Sequence, residues 1–404
     1  MIRLRRGRIV VILMVLALML TGCSGKKSAS DYYKDGMDSY KDGKYEEAAV
    51  SLSKAVTKNP NKAEYYIDYG MVLTKLGNYE EAFIQFDKAI LNKDNKIVRQ
   101  NNKMAYRGKG IAYFESADYK AACEQFELAL EIPERDDLDI DILYYLGDAQ
   151  TKTLDIENAV KTYGEIIDEY PSESDAYWKR AVLEGELERY DEAIHDFDKA
   201  INYDKNNYDY YFGKYFIMIK QGDENAANEV LTKALAIKTK TDEDYYNLAR
   251  LYFYQGDYEK ATTELTSSAE KGFSGAYFYL GEIAMKNSEY ENAVKYYEQY
   301  IGKEPDVKSA VVYNQLGDAN IKLKDYEKAF SYIEKGIELN DSTMMQALQY
   351  NEVVALEYLS KFEEAYKKAK EYLKIYKDDE NMKKELEFLK TRQENVLIDN
   401  TDKN

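Results

Sequence analysis

Proline, histidine and glycine are all scarce in this sequence of 404 residues. Its four prolines leave long stretches in which helices can run unbroken, because proline disrupts the interior of a helix. The 21 glycines provide few flexible positions, so the composition favours helices. The one histidine, His195, would need an oriented partner in a cleft to act as a general base. We expect it to be an ordinary surface histidine of a helix.

The sequence also lacks the common motifs of phosphate, dinucleotide and metal sites. No G-x-G-x-x-G, G-x-x-x-x-G-K-[ST], H-E-x-x-H or C-x-x-C is present. Asp137, Asp139 and Asp141 superficially resemble the start of a calcium loop, but Ile142 stands where that loop needs glycine and Asp148 where it needs glutamate. We therefore expect no enzymatic activity, no cofactor and no bound metal. A hidden enzyme dependent on His195 is the remaining catalytic alternative.

The N-terminus differs from the rest of the chain. Four arginines among the first eight residues precede an apolar run from Ile9 to Leu20, which is too short to span a membrane as a helix. The run ends in Leu20-Thr21-Gly22-Cys23, which resembles the lipobox of bacterial lipoproteins. The resemblance implies cleavage after Gly22 and lipidation of Cys23, so that residues 1–22 are a signal peptide and 23–28 a lipid-anchored linker. The alternative is an ordinary secretory peptide with an incidental cysteine.

Charge and cysteine content limit the partners. Loss of residues 1–22 would leave a net charge of −22, which disfavours binding to nucleic acid and to anionic lipid head groups. With Cys23 lipidated, Cys123 is the remaining cysteine, so no internal disulfide can form. We expect Cys123 to be a small residue of a helical face, with no redox role.

A segment of about 34 residues recurs ten times. GKYEEAAVSLSKAV at residues 43–56 returns as GNYEEAFIQFDKAI at 77–90, and successive copies begin 32 to 40 residues apart. Three residues after each start stands an alanine in all ten copies: Ala48, Ala82, Ala122, Ala159, Ala193, Ala227, Ala261, Ala293, Ala329 and Ala365. A period of this length, containing two helix-length segments, is typical of a helical solenoid.

These repeats resemble the tetratricopeptide repeat (TPR) family. The resemblance rests on the alanines, on small residues such as Gly36, Gly70 and Gly147, and on the repeat-ending prolines. It implies an all-α, right-handed solenoid of about ten helix-turn-helix repeats over residues 29–376. Met382, Leu386 and Leu389 then lie on one face of a predicted capping helix at 377–395, followed by a disordered tail at 396–404. The match is weakest in repeat six, where Glu224 replaces an aromatic residue, and in repeat ten, where Val353 stands at the glycine position.

The candidate binding residues directly follow the repeat's tyrosine, at a position that faces the concave groove in the family. Seven of the ten residues there are aromatic, more than a solvated face requires. We predict a partner-binding stripe at five of them: Tyr144, Trp178, Phe212, Tyr246 and Phe278. The alternative is that these side chains only close the packing between neighbouring first helices.

Together these features predict a lipid-anchored, extracytoplasmic scaffold or adaptor that binds a protein or peptide through its groove and carries out no chemistry. A cell-wall glycan-binding module and an accessory lipoprotein of envelope or secretion assembly are the alternatives. The excess of 45 lysines over 11 arginines fits a Gram-positive source, hence the outer face of a single cell membrane. In a Gram-negative source we expect the periplasmic face of the outer membrane.

Overall fold

The computed structural model describes residues 27–303 and 309–401. Within these ranges the chain forms twenty-one α-helices and no strand, which confirms the predicted all-α repeat fold. The predicted signal peptide (1–22), Cys23 and the predicted linker up to residue 26 lie outside the described residues, as do 304–308 and 402–404. The chain divides into two compact units between Asp223 and Glu224, within repeat six, which is one of the two repeats that match the repeat pattern least well.

Unit 1 holds the first five repeats and the first helix of the sixth. Its helices are α1 (Ala29–Lys41), α2 (Tyr45–Lys58), α3 (Ala63–Lys75), α4 (Tyr79–Ala89), α5 (Lys96–Glu115), α6 (Tyr119–Leu130), α7 (Asp139–Lys152), α8 (Ile156–Glu169), α9 (Ser174–Glu186), α10 (Tyr190–Tyr203) and α11 (Tyr208–Gln221). The 40-residue interval in the sequence is taken up by the long helix α5, which Asn95 caps through a 3.0 Å hydrogen bond from the Val98 N–H.

Unit 2 holds the second helix of repeat six, four further repeats and the terminal helix. Its helices are α12 (Glu224–Ala234), α13 (Asp242–Tyr254), α14 (Tyr258–Glu270), α15 (Gly275–Lys286), α16 (Tyr290–Lys303), α17 (Ala310–Lys322), α18 (Tyr326–Glu338), α19 (Met345–Tyr358), α20 (Phe362–Ile375) and α21 (Glu380–Thr401).

The C-terminal helix starts later and ends later than predicted. It begins at Glu380 instead of residue 377 and continues through Thr401, so residues 396–401, expected to be disordered, are helical. No proline or glycine occurs between Glu380 and Thr401 to end the helix earlier. The predicted apolar stripe is present: Met382 and Leu389 are fully buried, and Leu386 packs beside them.

In the nine repeats that lie within one unit, the core is a close contact between the two helices. The alanine of the second helix is fully buried in all ten repeats, at residues Ala48, Ala82, Ala122, Ala159, Ala193, Ala227, Ala261, Ala293, Ala329 and Ala365. Opposite it, a small residue of the first helix lies against a bulky side chain: a Cβ added to Gly147 would lie 2.7 Å from the Tyr163 ring. Such positions accept no larger residue without displacement of the ring.

The turn between the two helices of every repeat places one residue in the left-handed region. In four repeats this residue is glycine, as the conformation favours, but six repeats use Ala117, Leu154, Glu188, Ser288, Lys324 and Ser360, with φ between 60° and 63°. The turn is held by backbone hydrogen bonds, such as the one from the Asp155 N–H to the Gln150 carbonyl at 2.9 Å. The first helix must end there so that the second can fold back against it.

None of the helices in the described ranges is both long enough and apolar enough to cross a membrane.

Replacement of Leu154 by glycine should stabilise unit 1 by about 0.5–1 kcal/mol. Glycine adopts the left-handed conformation without strain, and this gain in free energy exceeds the cost of the larger conformational entropy that glycine gives the unfolded chain. Leu154 is 82% exposed, so the substitution removes little packing. Denaturant unfolding of the full chain measures the change, with Gly77→Ala at the equivalent turn expected to destabilise. A lower stability of Leu154→Gly would contradict the strain argument.

Replacement of Gly147 by alanine should destabilise the protein by about 1–3 kcal/mol, because the new methyl group overlaps the Tyr163 ring. Gly302→Ala, at a helical position with open space around it, is the matched control and should not destabilise. Equal stability of both variants in thermal unfolding would show that the helices of repeat four can separate without cost.

Candidate functional site

The candidate site is built from the first helices of successive repeats. We call the residues that directly follow the repeat's tyrosine position the first-helix row. In unit 1 the row consists of Tyr33, Ile67, Arg107, Tyr144, Trp178 and Phe212, and in unit 2 of Tyr246, Phe278, Asn314 and Tyr350. Because the first helices contact one another within each unit, this row brings together residues from distant parts of the sequence.

Two members of the row form hydrogen bonds with the next first helix of unit 1. The Tyr33 hydroxyl donates to Asp68 at 2.6 Å, and the Arg107 guanidinium donates to Asp141 at 2.5 Å. Burial, and next the hydrogen bond to Asp68, raise the pKa of Tyr33 well above its ordinary value, so the hydroxyl remains a donor. These contacts join repeat one to repeat two and repeat three to repeat four.

The three predicted residues of unit 1 differ in exposure. Tyr144 and Trp178 are partly exposed, and the Trp178 ring lies 6.2 Å from the Tyr210 ring. Phe212 is only 3% exposed, so its ring belongs to the packed interior and offers almost no surface to a partner. Side chains at equivalent positions of the repeat thus differ in how much surface they expose.

The surroundings of Tyr144 and Trp178 are polar at the helix ends. The Tyr144 hydroxyl donates to Glu173 at 3.4 Å, and Asp175 accepts from the Tyr210 hydroxyl at 2.5 Å. Burial first, and then the hydrogen bond to Asp175, raise the pKa of Tyr210 to about 12. These hydrogen bonds orient the rings that flank Trp178.

The two predicted residues of unit 2 lie in an aromatic cluster. Tyr246 stacks on Phe273, with ring centroids 5.2 Å apart, and the Arg250 guanidinium lies 5.8 Å from its ring. Phe278 has its centroid 6.2 Å from that of Tyr297. Both Tyr246 and Phe278 remain partly exposed. Both side chains therefore offer some surface to a partner, and their role in binding stays a prediction.

Exposed apolar residues continue further along the same helices. Val182 on α9 is 37% exposed, and Phe216 and Ile219 on α11 are 40% and 39% exposed. Val182 and Phe216 stand four residues after row positions, and Ile219 one turn beyond Phe216. Ile219 lies on the same helical face as Phe212, so its spacing could have identified it from the sequence. Periodicity alone, however, does not separate an exposed residue from a buried one.

The surroundings of His195 and Cys123 do not favour catalysis. His195 is exposed on α10 and lines a shallow cavity of about 470 Å³ with Glu192 and Asp196. The Asp196 carboxylate accepts two hydrogen bonds from Arg180, at 2.6 and 3.0 Å, so it is committed to that cation. Burial, and next the charge of Glu127, raise the pKa of the Cys123 thiol to about 11, which disfavours the reactive thiolate.

The aspartates that resembled a calcium loop are paired with cations. Asp137 accepts from Arg135 at 2.8 Å, Asp139 pairs with the buried Lys103, and Asp141 pairs with Arg107. Across residues 27–303 and 309–392, no group of three or more His, Cys, Asp or Glu side chains is arranged to hold a metal ion. The acidic cluster is explained by these ion pairs.

Comparison with known proteins agrees with the repeat geometry. Models of the tetratricopeptide repeat match residues 33–97, 141–172, 174–207, 246–308 and 310–343, together more than half of the chain. The chain belongs to the tetratricopeptide repeat family. Members of this family generally act as non-catalytic scaffolds that bind protein or peptide partners.

Individual relatives are distant. A TPR repeat-containing protein of Methanocaldococcus jannaschii is 26% identical over 188 residues, which cover 43% of this chain and 33% of that protein. This TPR chain therefore corresponds to only about a third of the length of that relative.

Two solved structures are similar at low identity. The APC/C hetero-tetramer Cut9–Hcn1 is 15% identical, with a TM-score of 0.48 and coverage of 95% of this chain and 93% of that chain. YrrB, a TPR protein with an unusual peptide-binding site, is 24% identical, with a TM-score of 0.39 and coverage of 47% and 94%. Neither likeness identifies a partner of this TPR protein.

Truncation should separate packing from surface in the first-helix row. We expect Phe212→Ala to destabilise by about 3–5 kcal/mol, because it removes a buried ring, and Trp178→Ala by about 1–2 kcal/mol, because that ring is partly exposed. Urea unfolding followed by circular dichroism provides both values. Equal losses would mean that Trp178 contributes to the core as much as Phe212 does.

Proposed function

We propose that this TPR protein is a lipid-anchored scaffold on the extracytoplasmic face of the cell membrane, where it binds a protein or peptide partner. It carries out no chemistry of its own. The observation that carries this proposal is the partial exposure of aromatic residues at equivalent row positions, Tyr144 and Trp178 in unit 1 and Tyr246 and Phe278 in unit 2. Partly exposed aromatic side chains are enriched at protein interfaces.

The proposed site in unit 1 combines rings with exposed aliphatic surface. Trp178 and Val182 share a face of α9, and Phe216 and Ile219 continue apolar surface on α11. Because polar contacts between first helices fix the rings in place, a partner segment would meet a preformed surface and lose little free energy in ordering it. Phe212 supports this surface from within and is not itself part of the proposed contact.

The anchor is argued from the sequence at Leu20–Cys23. A basic start, a short apolar run and a cysteine after small residues fit lipidation at Cys23. Stable attachment to a membrane takes more than a single acyl chain, and a diacylglyceryl group provides two. With the linker ending at residue 28 and α1 starting at Ala29, the repeats would begin close to the membrane surface.

The anchor is tested by the substitution Cys23→Ser. We expect the wild-type protein to yield an N-terminal peptide that begins at Cys23 and carries the mass of diacylglycerol, and the variant to yield none. Mass spectrometry of the membrane-extracted protein measures both, and Cys123→Ser is the control that should leave the modification intact. A wild-type N-terminus without lipid would contradict the anchored part of the proposal and leave the scaffold part standing.

The binding surface is tested by crosslinked capture from membranes of the source cell. We expect Trp178→Ala to lose a partner that the wild-type protein retains, because it removes the central ring of the proposed contact. Ile84→Ala, which truncates a residue of α4 that is 47% exposed, is the control and should retain the partner. Each variant is first shown to be folded by circular dichroism.

Capture of the same protein by all three chains would place the binding surface elsewhere. Retention of the wild-type chain on purified wall polysaccharide, lost in Trp178→Ala and with no protein captured, would favour the glycan-binding alternative instead.

A further inference from the structure

The negative charge of the chain is not spread evenly along the repeats. Residues 23–100 contain 13 lysines and arginines and 12 acidic residues, whereas residues 101–404 contain 39 and 62. The two repeats next to the proposed anchor are thus close to neutral, and the later repeats are strongly acidic. The acidity that disfavours contact with anionic lipid therefore belongs to the later repeats and not to repeats one and two.

Lysines of the first two repeats collect at one edge of unit 1, where second helices end and first helices begin. Lys54 and Lys58 lie in the last two turns of α2, and Lys88 lies in the last turn of α4. Lys93 follows in the connection between α4 and α5, and Lys96 is the first residue of α5. All five side chains are exposed. We call these five residues the basic edge.

Three ammonium groups of the basic edge are held against tyrosines of the first helices. Those of Lys54 and Lys58 both lie 5.5 Å from the centroid of the Tyr32 ring of α1. That of Lys88 lies 5.9 Å from the centroid of the Tyr66 ring of α3. Because Tyr32 and Tyr66 are equivalent residues of repeats one and two, the repeat geometry itself positions these lysines. Contact with an aromatic face orients an ammonium group without neutralising its charge.

Four acidic residues near this edge already have other cations as partners. The pairs are Asp35–Lys27, Glu64–Lys62, Asp87–Lys109 and Asp94–Arg99. No member of the basic edge forms an ion pair within the part of the chain that the structure describes. The positive charge of the basic edge is therefore available to an external anion.

Two exposed apolar residues belong to the same edge. Leu91, just after α4, is 38% exposed, and Ile97, in the first turn of α5, is 69% exposed. α5 begins ten residues before its repeat tyrosine, Tyr106, whereas α1 and α3 begin three residues before theirs. Its first turns therefore extend beyond the starts of those helices by about 10 Å. Apolar side chains flanked by lysines are typical of surfaces that enter the head-group region of a membrane.

The proposed lipid anchor would join the repeats at this same edge. α1 begins at Ala29, which packs in one cluster with Val56 near the end of α2 and Ala63 at the start of α3. The linker of residues 23–28 spans at most about 20 Å, so a lipid on Cys23 would hold the edge within that distance of the head groups. A tethered surface meets the membrane at a high effective concentration, so individually weak contacts are sufficient.

We propose that the basic edge, together with Leu91 and Ile97, docks unit 1 on the anionic phospholipid surface of the membrane that holds the anchor. The orientation rests on the proposed anchor, whereas the affinity of the edge for lipid does not. Lysines near an anionic surface are attracted to it, and the acidic connections at residues 131–139 and 168–175 are repelled. Repeats one and two would thus lie against the membrane.

Vesicle flotation tests the edge with a chain that carries no lipid. The mature chain of residues 23–404 with Cys23→Ser keeps every helix of the structure. At physiological ionic strength, charges more than about 8 Å from the head groups are largely screened. We then expect partitioning to vesicles of phosphatidylglycerol and phosphatidylcholine to be at least about tenfold stronger than to phosphatidylcholine alone. A higher ionic strength should release the chain.

Lys58→Gln combined with Lys88→Gln should weaken partitioning to the anionic vesicles by at least about tenfold, because two contacts with the head groups are lost. The matched control is Lys75→Gln combined with Lys120→Gln. It makes the same change of net charge at the opposite edge of unit 1, where α3 ends and α6 begins, and both of its lysines are exposed. This control should stay within about twofold of the parent chain.

Ile97→Gln should weaken partitioning several-fold, because it removes apolar surface from the contact. Ile84→Gln, at a residue of α4 that is 47% exposed, is its control and should not.

Equal partitioning to both kinds of vesicle, or equal losses in the two lysine double variants, would overturn the proposal. Retention on immobilised polyphosphate that depends on the basic edge, without binding to vesicles, would also overturn it and assign the edge to another polyanion. The tested chain carries no acyl group. A failure of lipidation at Cys23 in the cell would therefore leave these results unchanged, and a failure here would leave the anchor standing.

Discussion

The close contact between the two helices of a repeat is the constraint on which the rest of the structure depends. A glycine of the first helix lies directly against a ring of the second, as Gly70 does against Phe86 and Gly147 against Tyr163. Phe86 and Tyr163 are at most 1% exposed. This approach sets the separation of the helices, and hence which side chains of the first helices remain on the surface.

The same geometry allows the first-helix row to combine structural contacts with the proposed binding surface. Hydrogen bonds such as those from Tyr33 to Asp68 and from Arg107 to Asp141 connect successive repeats of unit 1, so part of the row is structural. Tyr144 and Trp178 lie among these contacts and still retain exposed surface. Packing and binding are therefore not exclusive alternatives for this row, because a ring held by its neighbours on one side can meet a partner on the other.

The fold could be predicted from the sequence because the close contact between the two helices requires a small residue, and an alanine recurs at this position in all ten repeats. The left-handed turns at Leu154 and Glu188 could not, since neither residue favours that conformation and the closure of the two helices imposes it. Phe212 and Trp178 occupy equivalent positions, and their different exposure depends on neighbours that the local sequence does not specify. The end of α21 was predicted too early because Asp399 and Asn400 have low helix propensity, whereas no proline or glycine ends the helix before them.

Trp178 is the one tryptophan of the chain, so its fluorescence reports the central position of the proposed site without labelling. The most direct test is acrylamide quenching of Trp178 in the free protein and in complex with a captured, tryptophan-free partner segment. If the partner covers the first-helix row, quenching should fall at least about twofold on binding, because the partly exposed indole becomes fully buried at the centre of an interface. A complex that forms with unchanged quenching would contradict the assignment of the row as the binding surface.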